Sequence, residues 1–137
     1  MNNKITVQAS INDDIASVWN KYTEPSHIIN WNFASDDWCC PSASNELKVG
    51  GKYIARMEAK DGSFGFDLEA IYDELEPLNK IKYHFTDNRE IEIFFNGIEN
   101  FTDIKIIFDA ENENPLEMQR EGWQAILNNF KAYAESK

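Results

Sequence analysis

The stretch from Lys52 to Tyr72, KYIARMEAKDGSFGFDLEAIY, decides the fold. Tyr53, Ala55, Met57 and Ala59 fall on one side of it, and Lys52, Ile54, Arg56 and Glu58 on the other. That period of two is a strand with one apolar face. Asp61-Gly62 is a hairpin signal. Phe64, Phe66, Leu68, Ala70 and Tyr72 then resume the alternation in a returning strand. Toward the C-terminus the pattern repeats. Pro77-Leu78-Asn79 turns the chain into Ile81, Tyr83 and Phe85. Asp87-Asn88 turns it again into Ile91, Ile93 and Phe95. Asn96-Gly97 opens a connection reaching Asn100, and Thr102, Ile104, Ile106 and Phe108 form the last strand.

Toward the N-terminus, Gly50-Gly51 turns or bulges the chain into the first of these strands. Residues 31–50 read as irregular, with Trp31, Phe33 and Trp38 set among Asp, Ser and Asn. Lys4 to Ala9 alternates as a further strand. Asn12-Asp13-Asp14 caps a helix carrying Ile15, Val18, Trp19 and Tyr22, and Pro25 ends it or opens a second short helix to about Ile29. Asn114 and Pro115 begin a final helix. Leu116, Gln119, Trp123, Ile126, Leu127, Phe130 and Tyr133 form its apolar stripe as far as about Ala134. The sum is an α+β fold, a single domain over residues 1–137. A curved antiparallel sheet of about six strands grips one long C-terminal helix, and two short helices follow strand 1.

Composition bounds the function. The chain has 137 residues, 42% hydrophobic and 27% charged, enough for one self-sufficient core. Asp and Glu number 24 against 13 Lys and Arg, a net charge of -11. Phosphate-tracking nucleic-acid binding needs the opposite sign, and anionic membranes repel it. No apolar run reaches membrane-spanning length, so no membrane insertion is expected. Met1-Asn2-Asn3-Lys4-Ile5 lacks the apolar core of a signal peptide. Cys39 and Cys40 are adjacent, which suits two free thiols in a reducing cytoplasm.

Those thiols with His27 and His84 are the only soft or imidazole ligands, and their spacing fits no metal site. His84 has the parity of the wet face. Nucleophile elbows and nucleotide-binding glycine patterns are missing, and no cofactor is expected. Asp67, Glu69, Glu90 and Glu92 alternate with apolar residues and belong to the solvated sheet face.

Four pieces of the chain resemble the helix-grip fold of the START-like superfamily, also called SRPBCC. Within it the similarity is to the branch named after the activator of Hsp-90 ATPase homologue 1. The first piece runs from Ile5 to Trp31, with Val18-Trp19. The second is Leu47-Lys48-Val49-Gly50-Gly51-Lys52-Tyr53. The third is Tyr72-Asp73-Glu74-Leu75-Glu76-Pro77 with Lys80-Ile81-Lys82-Tyr83. The fourth is Gly122-Trp123 with Leu127 and Phe130. Relatives often carry a His where this chain has Gln119, so a proton-transfer role there is not carried over. The superfold hosts lipid carriers, cyclases, hydrolases and co-chaperone domains.

The resemblance implies a cavity between the long helix and the concave sheet, roofed by the irregular segment. The residues expected to line it are Trp31, Phe33, Trp38, Met57, Phe64, Phe66, Tyr72, Tyr83, Phe85, Ile106, Gln119, Trp123, Ile126 and Leu127. Aromatics at these periods also serve as core, but few polar groups in an apolar concavity describe a small-ligand site. Arg120 lies at the edge of the stripe and otherwise no cation points inward, so a neutral hydrophobic ligand, lipid-like or aromatic, is expected. The alternatives are a co-chaperone-like interaction module with a filled core and a cofactor-free cyclase or hydrolase. Ile54, Ile71, Phe94 and Ile107 have wet-face parity and make a candidate homodimer surface.

Overall fold

A computed structural model describes residues Asn3 to Ser136. Met1, Asn2 and Lys137, counted in the expected 1–137 domain, lie outside the described residues. The period-two segments become strands β1 (Lys4–Ile11), β2 (Trp38–Asn45), β3 (Lys52–Ala59), β4 (Gly65–Glu76), β5 (Lys80–Phe85), β6 (Glu90–Ile98) and β7 (Phe101–Asp109). They form one sheet in the order β1-β7-β6-β5-β4-β3-β2, every pair antiparallel. Strands β3 to β7 are the expected meander.

Among the described residues the sheet has seven strands, not about six. The addition is β2, within the segment read as irregular. An edge strand pairs on one side only, and its register with β3 shifts between Cys39 and Ser42. Pro41, which cannot donate to a ladder, sits inside that shift. Its sequence therefore shows no clean alternation.

Among the described residues three helices accompany the sheet: α1 (Ile15–Thr23), α2 (Pro25–Ile28) and α3 (Leu116–Ser136). Asp14 caps α1 by accepting the Ser17 N–H at 2.8 Å, and Pro25 opens α2. The expected turn at Asn96-Gly97 is displaced. Strand β6 runs on to Ile98 and the chain reverses at Glu99-Asn100, Glu99 taking a φ of 56°. Gly97 is a spacing residue instead, because a Cβ there would lie 2.9 Å from the Ile15 Cβ of α1.

Six interstrand spacings of about 4.8 Å make the sheet roughly 29 Å wide, and a helix is about 10 Å across. Helix α3 lies toward β1 and β7, where Trp123 stacks on Phe108 with ring centroids 4.1 Å apart. Helices α1 and α2 cross from the β1 edge to the β2 edge. Helix α1 and the segment after α2 meet α3 at Phe130, whose fully buried ring packs edge-on against Tyr22 and Trp31 at 5.1 and 5.0 Å. Each such pair contributes about 0.5–1.5 kcal/mol beyond area burial.

A buried lysine fastens the same corner. Lys21 donates to Asp13 Oδ2 at 2.8 Å and to the Ala134 carbonyl at 2.9 Å, near the C-terminal end of α3 where a cation is favoured. Burial raises the pKa of the Asp13 carboxyl. Hydrogen bonds from Lys21 and Ser17, the Lys21 charge and the Asp14 N–H together outweigh that and hold it below the usual value.

On the convex face, Asp67 pairs with Arg56, Glu69 with Lys52, Glu90 with Lys82 and Glu92 with Lys80. His84 is there too, hydrogen-bonded to Asp73. Ile54, Ile71, Phe94 and Ile107 are half-buried on this face. They form two diagonal pairs, one on β3 and β4 and one on β6 and β7, divided by Lys80 and Lys82 of β5.

Two outcomes follow from this packing. Phe130→Ala removes the ring that joins α3 to Tyr22 of α1 and to Trp31, and costs about 3–5 kcal/mol in urea denaturation. Asp13 has a lowered folded pKa, so its contribution is complete above its unfolded value and is lost as pH falls through the folded value. Stability measured from pH 6 downward therefore falls less steeply in Asp13→Asn than in the natural chain; parallel curves would remove Asp13 from the account.

Candidate functional site

Between the concave face and the helices lies a cavity of about 280 Å³. Its floor is Tyr53 and Met57 from β3, Phe66, Leu68 and Tyr72 from β4, Ile81, Tyr83 and Phe85 from β5, and Ile106 from β7. Its roof is Trp123, Ile126 and Leu127 of α3, Tyr22 and Thr23 of α1, Ile28 of α2, and Trp31 and Asn32 just beyond it. Asn45 of β2 and Arg89 of the β5–β6 turn complete the wall.

Strand register sorts this wall into two ends. Met57 faces Phe66 across β3 and β4, near their hairpin. Phe66 is 41% exposed and marks the mouth. Farther along the same strands Tyr53 pairs with Ala70 and Tyr72 with Tyr83, which places the tyrosines inside. Their rings touch in sequence, Tyr53 tilted against Tyr83 at 5.9 Å and Tyr72 edge-on to Tyr83 at 6.0 Å.

The inner end carries the polar groups. The Tyr72 hydroxyl donates to Asn45 Oδ1 at 2.6 Å, and Asn45 Nδ2 donates to the Thr23 carbonyl at 2.7 Å. Asn32 Nδ2 donates to the Tyr53 hydroxyl at 3.2 Å. The Trp31 ring N–H is fixed by the Lys21 carbonyl at 3.0 Å. Burial pushes the hydroxyl pKa of Tyr22, Tyr53, Tyr72 and Tyr83 upward, and neighbouring hydroxyls reinforce this for Tyr22, Tyr53 and Tyr83. All four therefore stay protonated and able to donate at neutral pH.

Ten of the fourteen expected positions line the cavity: Trp31, Met57, Phe66, Tyr72, Tyr83, Phe85, Ile106, Trp123, Ile126 and Leu127. Four do not. Gln119 is buried, but its amide holds the loop before α3. Its Oε1 accepts from Glu111 N, and its Nε2 donates to the Glu111 and Asn114 carbonyls. Phe33 packs beside the core, with its carbonyl held by Asn129. Phe64 sits in the β3–β4 turn, 60% exposed, and Trp38 begins the edge strand. These last two pack with Phe66 outside the mouth, at ring distances of 5.9–6.2 Å.

The wall also contains residues not expected there. Tyr53 and Ile81 have the inward parity of their strands and Tyr22 lies on the α1 stripe, so a signal existed for each. Asn32, Asn45 and Arg89 come from loops or an irregular edge, where no period marks them. Arg89 corrects the expectation that no cation points inward. Its charge is already engaged, by Asp87 at 2.7 Å and by the Phe85 ring at 5.1 Å. The lining contains no Asp, Glu or His, and among the described residues no cluster of such side chains with Cys could hold a metal ion. No helix among them is long and apolar enough to cross a membrane.

The chain matches the family described as Activator of Hsp90 ATPase homolog 1-like protein over residues 14–135. It is similar to the solution structure of an AHSA1-like protein from Aeromonas hydrophila. That pair has a TM-score of 0.91 and 36% identity, covering 98% of this chain and 93% of the other. A protein from Cytophaga hutchinsonii is 44% identical with a TM-score of 0.84, covering 97% and 92%. A crystal structure from Chromobacterium violaceum, 21% identical over 97% and 98%, shares the fold with a TM-score of 0.86. No curated protein matches the chain. The match runs from the cap of α1 to the last turn of α3, and the chain belongs to the Activator of Hsp90 ATPase homolog 1-like family, with the helix-grip fold of START-like proteins.

Proposed function

We propose that this protein binds a small hydrophobic molecule, lipid-like or aromatic, between the sheet and α3. The shape and lining of the cavity carry the reading. About 280 Å³ of space opens at Phe66, and a concave, mostly apolar pocket with a few polar groups is the usual form of a small-ligand site. Such a space calls for an occupant. Water suits the tyrosine end, but most of the wall is carbon. A guest that removes this wall from water gains about 25 cal/mol per Å².

The fold is compatible with ligand binding or with co-chaperone-like roles. One observation favours the second: Trp38, Phe64 and Phe66 form an aromatic cluster at the surface, a composition suited to a protein partner. A cyclase or hydrolase reading has less support, because the lining offers neither carboxylate nor imidazole for proton transfer. Homodimerisation through the convex face has weak support, since charges divide its apolar pairs. The free thiols of Cys39 and Cys40 suit a cytoplasmic protein. The net charge of -11 opposes nucleic-acid and anionic-membrane partners.

Native mass spectrometry of freshly purified protein tests the main reading. The expected spectrum shows a small organic mass that denaturation releases. Trp123→Ala combined with Phe66→Ala opens both mouth and roof and should weaken retention of that guest at least tenfold. Retention unchanged in the double variant would move the site elsewhere.

A further inference from the structure

The inner end of the cavity has more hydrogen-bond donors than the protein itself uses. The Tyr72 proton goes to Asn45. The Tyr53 oxygen accepts from Asn32, which leaves its own proton uncommitted. The Tyr22 and Tyr83 hydroxyls have no hydrogen-bond partner among the described residues, and both side chains line the cavity. Tyr83 is only 7% exposed, yet among those residues no sealed side-chain oxygen or nitrogen lacks a partner. Its hydroxyl must therefore reach open space, and the space this side chain lines is the cavity.

These groups can also accept hydrogen bonds, but their protons are what is left over. Burial keeps each in the protonated form, and an uncommitted buried donor needs an acceptor. The acceptor has to be neutral. The cation on the wall, Arg89, is engaged by Asp87 and Phe85, and a carboxylate buried among hydroxyls without a counter-charge is costly. The surrounding rings accept an apolar body of one or two fused rings.

We infer that the molecule held here carries a neutral carbonyl, whose oxygen accepts hydrogen bonds from the hydroxyls of Tyr22, Tyr53 and Tyr83. This rests on the cavity-binding reading and specifies the polar end of its ligand. The carbonyl class comprises ketones, aldehydes, esters and amides. The hydroxyls orient such a group without transferring a proton, because their raised pKa values disfavour ionisation.

Three probes of one shape separate the outcomes. They are 2-acetylnaphthalene (a neutral ketone), 2-isopropenylnaphthalene (a hydrocarbon of the same outline) and 2-naphthoate (an anion). Each is titrated into the natural chain and into Tyr22→Phe, Tyr53→Phe, Tyr83→Phe and Tyr72→Phe, with affinities from calorimetry or amide chemical shifts. The ratio of ketone to hydrocarbon affinity should fall about two- to tenfold in at least two of the first three variants, the usual worth of one hydrogen bond. It should stay unchanged in Tyr72→Phe, whose hydroxyl is spent on Asn45. Hydrocarbon binding serves as the folding control and should be retained in every variant, tightening where an unpaired hydroxyl has been removed. An unchanged ratio in all of the first three, or tightest binding by the naphthoate, overturns the carbonyl assignment and leaves the cavity reading standing. Binding of neither neutral probe to the natural chain overturns both.

Discussion

One helix about 10 Å across cannot cover a concave sheet about 29 Å wide, and the rest of the molecule is organised around that shortfall. Helix α3 settles over β1 and β7, where Trp123 finds Phe108 to stack on. Helices α1 and α2 fill what they can on the way from one sheet edge to the other. The area above β3, β4 and β5 keeps its apolar side chains but receives no helix of its own. The cavity is the remainder of that covering problem.

Its walls have to resist collapse, since packed interiors close voids where they can. Two sets of contacts prevent this. At the corner of α1 and α3, Lys21 ties the Asp13 carboxylate to the Ala134 carbonyl, and Phe130 packs edge-on against Tyr22 and Trp31, which also touch each other. Along the β2 edge, Tyr72, Asn45 and the Thr23 carbonyl form a hydrogen-bonded chain from β4 to α1. A collapse of the helices onto the sheet would have to rearrange these polar contacts. Breaking any one of them costs about 1–3 kcal/mol.

The meander was legible because half-buried strands must alternate, and each of β3 to β7 buries one face only. Strand β2 was not legible. It pairs on one side, slips register between Cys39 and Ser42, and carries a proline. Asn96-Gly97 looked like a turn because glycine serves turns and close approaches alike, and here it makes room for Ile15. The apolar wall followed from parity and from the helix stripe, which is why Met57, Phe85 and Trp123 fell where expected. Gln119 shared the stripe, but a helix period says nothing of where an amide finds its partners. Asn32, Asn45 and Arg89 are polar groups on loops and edges, where no periodicity exists to reveal them.

The tyrosines set this cavity apart from an underfilled core. A position that only needs ring area is better served by phenylalanine, as Phe85 and Phe130 show nearby. A hydroxyl added there must be satisfied or must face a space where something else satisfies it. Tyr72 takes the first course through Asn45. Tyr22 and Tyr83 take the second, and Tyr53 stands between, its oxygen engaged and its proton not. Apolar walls favour any hydrophobic guest without telling one from another. Discrimination comes from the hydroxyls, because a guest that leaves them unpaired pays their desolvation in full while one with a matching acceptor does not.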